Sequence, residues 1–321
     1  MRVLNFGSLN LDYVYSVDHF VQPGETLSAL SRTIKAGGKG LNQSIALARA
    51  GVLPSHAGCL GTGGNLLKSM LEENGVDTKY LLPVSEAQGH TVIQVSPDGE
   101  NSILLFGGSN RCIPEEHIRR VIGICSRGDW LILQNEINHL PLIVRLAAEK
   151  GMHIVLNPSP YNEALQQVDF SVLDWLLVNE IEAEQITGEK EPETVWNKLH
   201  SQYSRLSLLI TLGKQGSVAY QADGTTVKIH REEAVSVQAV DTTAAGDTYT
   251  GYFLAGLMEG KSLHTCMNLA SRAAAVSVTR PGAAESIPWK KELDGTQIEI
   301  MEMLPESLQA PADKRPAGLR E

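Results

Sequence analysis

The sequence predicts an α/β protein: a three-layer, Rossmann-like, mostly parallel sheet with helices on both faces, plus a small β-sheet lid. Three observations predict it. From Trp130 onward, short Val- and Leu-rich runs alternate with helical runs, the pattern of strands joined by crossover helices. The runs His90–Val95 and Asn101–Phe106 flank Ser96-Pro97-Asp98-Gly99-Glu100, an Asp-Gly hairpin signal. A turn of small residues, 241–251, leads into a helical pattern. The chain has 321 residues, 42% of them hydrophobic, enough for one large domain with an appendage or for two domains.

Residues 2–7 form a short strand ending at Gly7, followed by Ser8-Leu9-Asn10-Leu11-Asp12. Asn10 and Asp12, two apart on extended backbone, point to one side and suit a polyol; an Asx turn is the competing reading. Residues 14–35 alternate imperfectly around Gln22-Pro23-Gly24-Glu25, a hairpin-like excursion. With the Asp-Gly hairpin it is expected to make a small sheet over the site. Ala36-Gly37-Gly38-Lys39-Gly40-Leu41-Asn42-Gln43 is a glycine loop entering a small-residue helix that Gly51 stops. Such a loop at a helix N-terminus suits a polar or anionic ligand, but alone it is a weak signal. Gly61-Thr62-Gly63-Gly64-Asn65-Leu66-Leu67-Lys68-Ser69 imitates a phosphate loop. No glycine precedes Lys68, so the spacing fails, and the segment reads as a loop capping a helix.

Further strands are expected at Trp130–Gln134, 153–158, Trp175–Asn179, 206–212 and 216–221, with a helix over Leu140–Lys150. Polar residues gather at the carboxyl ends of these runs: Asn10 and Asp12, Glu136, Asn179 and Glu182, and Thr211 to Gly216. Parallel sheets bind ligands there, so the residues converge on one site. Glu136 read alone is a surface acid, and Asn179 with Glu182 also has capping-box spacing.

Residues 234–240 read as a strand, and Tyr252, Phe253, Leu254, Leu257 and Met258 recur at helical spacing. The stretch between is a strand-to-helix turn whose first N–H groups suit an anion. Asp247 lies in that first turn. A carboxylate there either caps the helix or serves as a base beside an anion hole. Residues 263–279 form a helix rich in small side chains, and 305–321 read as a loose tail.

Lys plus Arg number 27 and Asp plus Glu 37, a net charge of −10, which disfavours a nucleic-acid backbone as partner. The four cysteines are scattered without a C-x-x-C pair, against a zinc cluster or redox motif and in keeping with a reducing compartment. With no signal-like N-terminus and no run long enough to span a membrane, a cytoplasmic protein is expected.

Asp241-Thr242-Thr243-Ala244-Ala245-Gly246-Asp247-Thr248 resembles the D-T-x-A-A-G-D-T signature of the ribokinase-like (PfkB) sugar kinases, with every fixed position matched. G-G-K-G-x-N-Q from Gly37, G-x-x-N-x-D from Gly7, Q-x-E from Gln134 and N-x-x-E from Asn179 match further family patterns. The resemblance spans about 3–288. It implies that Asp247 is the catalytic base and that the amides of Ala244, Ala245, Gly246 and Asp247 line the anion hole. It implies sugar contacts at Asn10, Asp12, Gly38, Lys39, Asn42 and Glu136. Asn179, Thr211, Gly213, Gly216 and Gly246 would lie beside ATP, and Glu182 would organise Mg2+ through water. A monovalent activator, K+, would sit at Asp241, Thr243, Ser277, Arg280, Gly282 and Ser286.

The implied activity is ATP-dependent phosphorylation of the primary hydroxyl of a pentose, D-ribose first, by a homodimer joined through the lid. Kinases of deoxyribose, fructose-type sugars or nucleosides, and a non-catalytic sugar-binding protein of the same fold, are the alternatives. The implied kinase domain is 1–304, with lid segments at about 13–35 and 89–107. Ala36 stands where the family often has proline, and Thr62 and Gly63 where it usually has an acid. Thr91 and Gln94 are more polar than a ribose lid leads one to expect.

Overall fold

The computed structural model describes residues 1–295. The tail expected at 305–321 lies outside the described residues. In chain order the first half holds β1 (Val3–Phe6), β2 (Asn10–Ser16), β3 (Ser31–Gly37), α1 (Lys39–Arg49), β4 (Pro54–Thr62), α2 (Asn65–Glu73), β5 (Asp77–Ala87), β6 (His90–Val95), β7 (Asn101–Phe106) and α3 (Glu115–Gly123). Then come β8 (Trp130–Gln134), α4 (Leu140–Lys150), β9 (His153–Asn157), β10 (Trp175–Asn179), α5 (Glu180–Thr187), α6 (Pro192–Gln202) and β11 (Ser207–Thr211). The last elements are β12 (Ser217–Asp223), β13 (Thr226–Glu232), α7 (Ala245–Met258), α8 (Leu263–Val278) and α9 (Lys290–Gly295).

Nine strands form the main sheet in the order β13-β12-β11-β10-β9-β8-β1-β4-β5. It is parallel from β5 through β11; β12 and β13 add an antiparallel edge. Successive residues of a strand face opposite sides, and the core divides accordingly. Leu131, Leu133, Ile154, Leu156, Leu176 and Val178 pack with α3, α4, α5 and α6. Ile132, Val155, Trp175 and Leu177 pack with α1, α2, α7 and α8. That burial on both faces explains why the central strands read as continuous apolar runs.

The second sheet has the order β3-β2-β6-β7. It joins the 14–35 excursion to the Asp-Gly hairpin through the parallel pair β2–β6. Asn10 and Asp12 lie on β2, so the expected sugar contacts stand on the lid sheet itself.

One sequence expectation fails. Residues 234–240 are not a strand; the edge strand is β13, which ends at Glu232. Val235 and Val237, with Ala234, Ser236 and Ala239, line a cavity instead of pairing with a sheet, and Val240 is exposed. Sequence reading also missed β4, β5, α3 and α6.

Candidate active site

The turn into α7 is built on Ala244, which adopts the left-handed region (φ 59°) without being glycine. That conformation costs an alanine roughly 1–2 kcal/mol. It reverses the chain directly before the helix. Ala245 N–H turns back to the Thr242 carbonyl at 3.3 Å. The N–H groups of Gly246 and Asp247 have no partner among the described residues. Of the four amides expected at the hole, Ala245 alone already has a backbone partner; the N–H of Ala244, like those of Gly246 and Asp247, has none among the described residues. The helix dipole adds positive potential at the same point.

Asp247 is 7% exposed, and both its oxygens are held by α1. Asn42 Nδ2 donates to Oδ2 and Gln43 Nε2 donates to Oδ1, each at 2.9 Å. The two helices come this close because Gly251 of α7 faces Ala46 of α1; a Cβ there would lie 2.3 Å from the alanine's own Cβ. Gln43 continues inward: its Oε1 accepts from Gln134 Nε2 at 2.7 Å, and Gln134 also donates to Asn5 Oδ1. A buried amide chain thus runs from the carboxylate across the centre of the main sheet. Gln43 was not among the expected site residues, although it closes the G-G-K-G-x-N-Q pattern.

β1 and β8 are neighbours from which the strand order runs in opposite directions, the kind of switch point where open α/β sheets bind ligands. Glu136 follows β8 and is 9% exposed. It accepts from the Ser8 hydroxyl and, at 3.1 Å, from Lys39 N–H. Ser8 also accepts from Gly40 N–H, so it links β1 to the glycine loop. Gly38 caps α1 at φ 93°. Burial disfavours the Lys39 cation, but the carboxylates of Asp247, Glu136 and Glu182 outweigh it and hold its pKa above the usual lysine value.

On the lid, Asn10 Oδ1 accepts from Asn110 Nδ2 at 2.7 Å, and Asn10 Nδ2 has no partner among the described residues. Asn110 is a second residue that sequence reading missed; it sits in a single 3-10 turn, Gly108–Arg111, too short to give a periodic signal. Asp12 accepts from Thr91 Oγ1 at 2.6 Å. Burial raises the Asp12 pKa to about 6, with Glu136 adding to the rise and Thr91 opposing it. The unexpectedly polar Thr91 therefore holds Asp12, and Gln94 accepts from Val21 N–H at 3.0 Å.

Two adjoining cavities complete the site. The first, about 410 Å³, is lined by Lys39, Asn179, Glu182, Thr211 and the turn Ala244–Asp247. The second, about 510 Å³, shares Thr211, Gly213, Ala245 and Gly246, then becomes more apolar along Ala234, Val235, Val237, Ala274 and Val278. Gly216 borders it at φ 86°, where a Cβ would lie 2.0 Å from the Glu232 carbonyl oxygen. Asn179 and Glu182 do form the capping box of α5: Asn179 Oδ1 accepts from Glu182 N–H at 2.8 Å, and Glu182 Oε2 from Asn179 N–H at 3.1 Å. Glu182 is nonetheless buried on the cavity wall, so capping and siting coincide.

Asp241 ties the two loops expected around a cation. Its Oδ1 accepts from Thr243 N–H at 2.9 Å and its Oδ2 from Gly282 N–H at 3.0 Å. Burial pushes its pKa up, but these bonds and the Lys35 charge prevail and hold it below the usual value. The Ser277 and Ser286 hydroxyls donate to the carbonyls of Ala274 and Ala283, and Arg280 pairs with Glu292 at 2.7 Å.

An ionisable group beside free helix-terminal donors, at the rim of a polar cavity that opens into an apolar one, defines the class: a small-molecule enzyme of the α/β type. The pfkB family carbohydrate kinase model matches residues 2–290, and the chain belongs to that family. It is a carbohydrate kinase, transferring phosphoryl groups to a sugar hydroxyl. The chain is 36% identical to a ribokinase of Haemophilus influenzae over 297 residues, covering 89% of this chain and 95% of that one. Among solved structures it is similar to the ribokinase of Cryptococcus neoformans var. grubii serotype A in complex with ADP (TM-score 0.79, 35% identity, 91% and 98% of the two chains). It is also similar to Arabidopsis thaliana ribokinase complexed with ribose and ATP (TM-score 0.79, 28% identity, 91% and 97% covered).

Proposed function

We propose that this carbohydrate kinase transfers the γ-phosphoryl group of ATP to the primary hydroxyl of D-ribose. One observation carries the reading: the Asp247 carboxylate is buried at the N-terminus of α7, beside the free N–H groups of Gly246 and Asp247. The sugar lies under the lid, with Asn10 and Asp12 above it and Gly38, Lys39, Asn42 and Glu136 below. Asp247 takes the proton of the attacking hydroxyl. The N–H groups of Gly246 and Asp247 receive the charge of the transferring phosphoryl, assisted by the Lys39 ammonium. Triphosphate fills the 410 Å³ cavity and adenine the more apolar 510 Å³ cavity, beside Thr211, Gly213 and Gly216.

Glu182, a buried carboxylate on the cavity wall, fits a role in holding Mg2+ through water; the ion neutralises phosphate charge when bound. Asp241 fits a hard monovalent cation. Ser277 and Ser286 donate their hydroxyl protons to carbonyls, which leaves their oxygen lone pairs and backbone carbonyls as ligands, while Arg280 and Gly282 have only backbone carbonyls to offer. That ion supplies fixed positive charge behind the turn. Residues 1–304 are taken as one kinase unit with the four-stranded sheet as its lid. Ile103, Leu104, Leu105 and Phe106 are all exposed on the lid's edge strand β7, which supports a homodimer through that sheet. The unpaired cysteines support a cytoplasmic location.

The test is a panel of ribose, 2-deoxyribose, fructose and nucleosides with ATP, read as ADP release. Ribose should show the highest kcat/KM, because a site built to bond a hydroxyl rejects analogues lacking it. Fructose or a nucleoside in first place would replace this reading.

A further inference from the structure

The edge of the main sheet carries a cluster that the kinase reaction does not use. His230 and Glu232 are two apart on β13, so both side chains leave the same face. That face packs on α8, whose first turn carries His264. Three ligand atoms converge there. His230 Nε2 lies 3.0 Å from Glu232 Oε2 and 3.1 Å from His264 Nδ1, and His264 Nδ1 lies 3.6 Å from Glu232 Oε2. Asn268, one turn after His264, donates its Nδ2 to the other Glu232 oxygen at 2.9 Å.

Hydrogen bonding accounts poorly for this triangle. The Nε2 atom of His230 carries either a proton or a lone pair, and it faces two electron-rich atoms at nearly equal short distances. One shared proton satisfies only one of those contacts. A cation satisfies all three. With Zn–N and Zn–O bonds near 2.0–2.2 Å, neighbouring ligand atoms of a tetrahedral ion stand about 3.3 Å apart. The observed separations bracket that length. The second carboxylate oxygen, pinned by Asn268, gives the outer support that metal ligands commonly receive.

We propose that His230, Glu232 and His264 bind one divalent transition-metal ion of the zinc class, outside the catalytic centre. Two imidazoles and one carboxylate suit zinc, cobalt or nickel; magnesium, which prefers oxygen ligands alone, is a poor match. The fourth position is open, because the His264 side chain is 66% exposed. The ion would clamp β13 to α8. Both elements lead into walls of the 510 Å³ cavity, through Ala234 after β13 and Ser271 on α8. The missing C-x-x-C pair, which speaks against a zinc cluster in the sequence, concerns thiolate ligands, and this site uses none of the cysteines.

The experiment uses the full chain, stripped of metal and free of sugar and nucleotide, titrated with zinc by calorimetry and with cobalt by absorption. One equivalent of zinc should bind and raise the thermal midpoint, and cobalt should show weak nitrogen–oxygen bands without thiolate charge transfer. His264→Ala should weaken binding by more than the roughly 10–100-fold typical of an outer-shell loss, and Asn268→Ala should fall within that range. The exposed position of His264 makes its removal harmless to folding, which the metal-free melting curves verify. No stoichiometric zinc binding by the wild type, unchanged affinity in His264→Ala, or a thiolate cobalt spectrum would each overturn the proposal.

Discussion

Replacing Asp247 by Asn separates its chemical role from its structural one. The carboxylate accepts one bond from Asn42 Nδ2 and one from Gln43 Nε2, both at 2.9 Å. The substituted amide keeps the shape but offers one acceptor and one NH2 group, so one neighbour would face a donor with a donor. Asn42 can resolve this, because its Oδ1 is buried without a partner. Rotating the Asn42 amide presents that oxygen to the new NH2 group. Exchanging two bonds to a charged acceptor for two neutral ones should cost about 2–3 kcal/mol of stability, less whatever is regained by no longer burying a charge. The chemical loss is larger. An amide cannot take the hydroxyl proton, and removing a general base costs roughly 10²–10⁴-fold, or about 3–5 kcal/mol of barrier. The assay is single-turnover formation of ribose phosphate at saturating ATP and sugar, with a melting curve to verify the fold and a sugar-binding isotherm beside it. Sugar binding should persist while the rate falls by at least about 10²-fold. A folded variant turning over within tenfold of wild type would refute the assignment of Asp247 as base.

The raised pKa of Asp12 makes sugar binding sensitive to pH: KM for ribose should climb as pH falls through about 6, and Asp12→Asn should flatten that limb. The sign for folding is opposite. Because the folded value of about 6 exceeds the ordinary aspartate value of 3.8, the unliganded protein loses stability as pH rises across that interval. Asp12→Asn should therefore melt higher than wild type near neutral pH, by an advantage that vanishes near pH 4; equal melting at every pH would remove the burial argument. Activity should rise when a bulky organic cation is exchanged for K+ at constant ionic strength, and Asp241→Ala should abolish the response. Identical rates in both salts would exclude the ion site. Leu104→Asp on the exposed edge of the lid should leave a monomer in light scattering, whereas an unaltered mass would dismiss the lid as an interface.

Much of this molecule was legible because the signals are local. Apolar runs separated by helical periodicity announce a parallel sheet, and the structure has one. The Asp98-Gly99 turn does join β6 to β7, and α4 does stop at Gly151 in the left-handed conformation. The capping box of Asn179 and Glu182 needs only the spacing of one helical turn. Backbone conformation and nearest-neighbour hydrogen bonds determine such features, and both are written within a few residues. Packing of the whole chain settles which distant groups meet. Gln43 reaches Asp247 across 204 residues of sequence because Gly251 lets α1 and α7 touch. Asn110 reaches Asn10, and His264 reaches His230, by the same kind of long-range packing. Residues 234–240 show the converse. Their composition satisfies a strand, yet a strand needs a partner at its edge, and here the chain leaves the sheet to wall a cavity. Side-chain pattern states what a segment prefers to bury; only the packed chain supplies the surface against which it is buried.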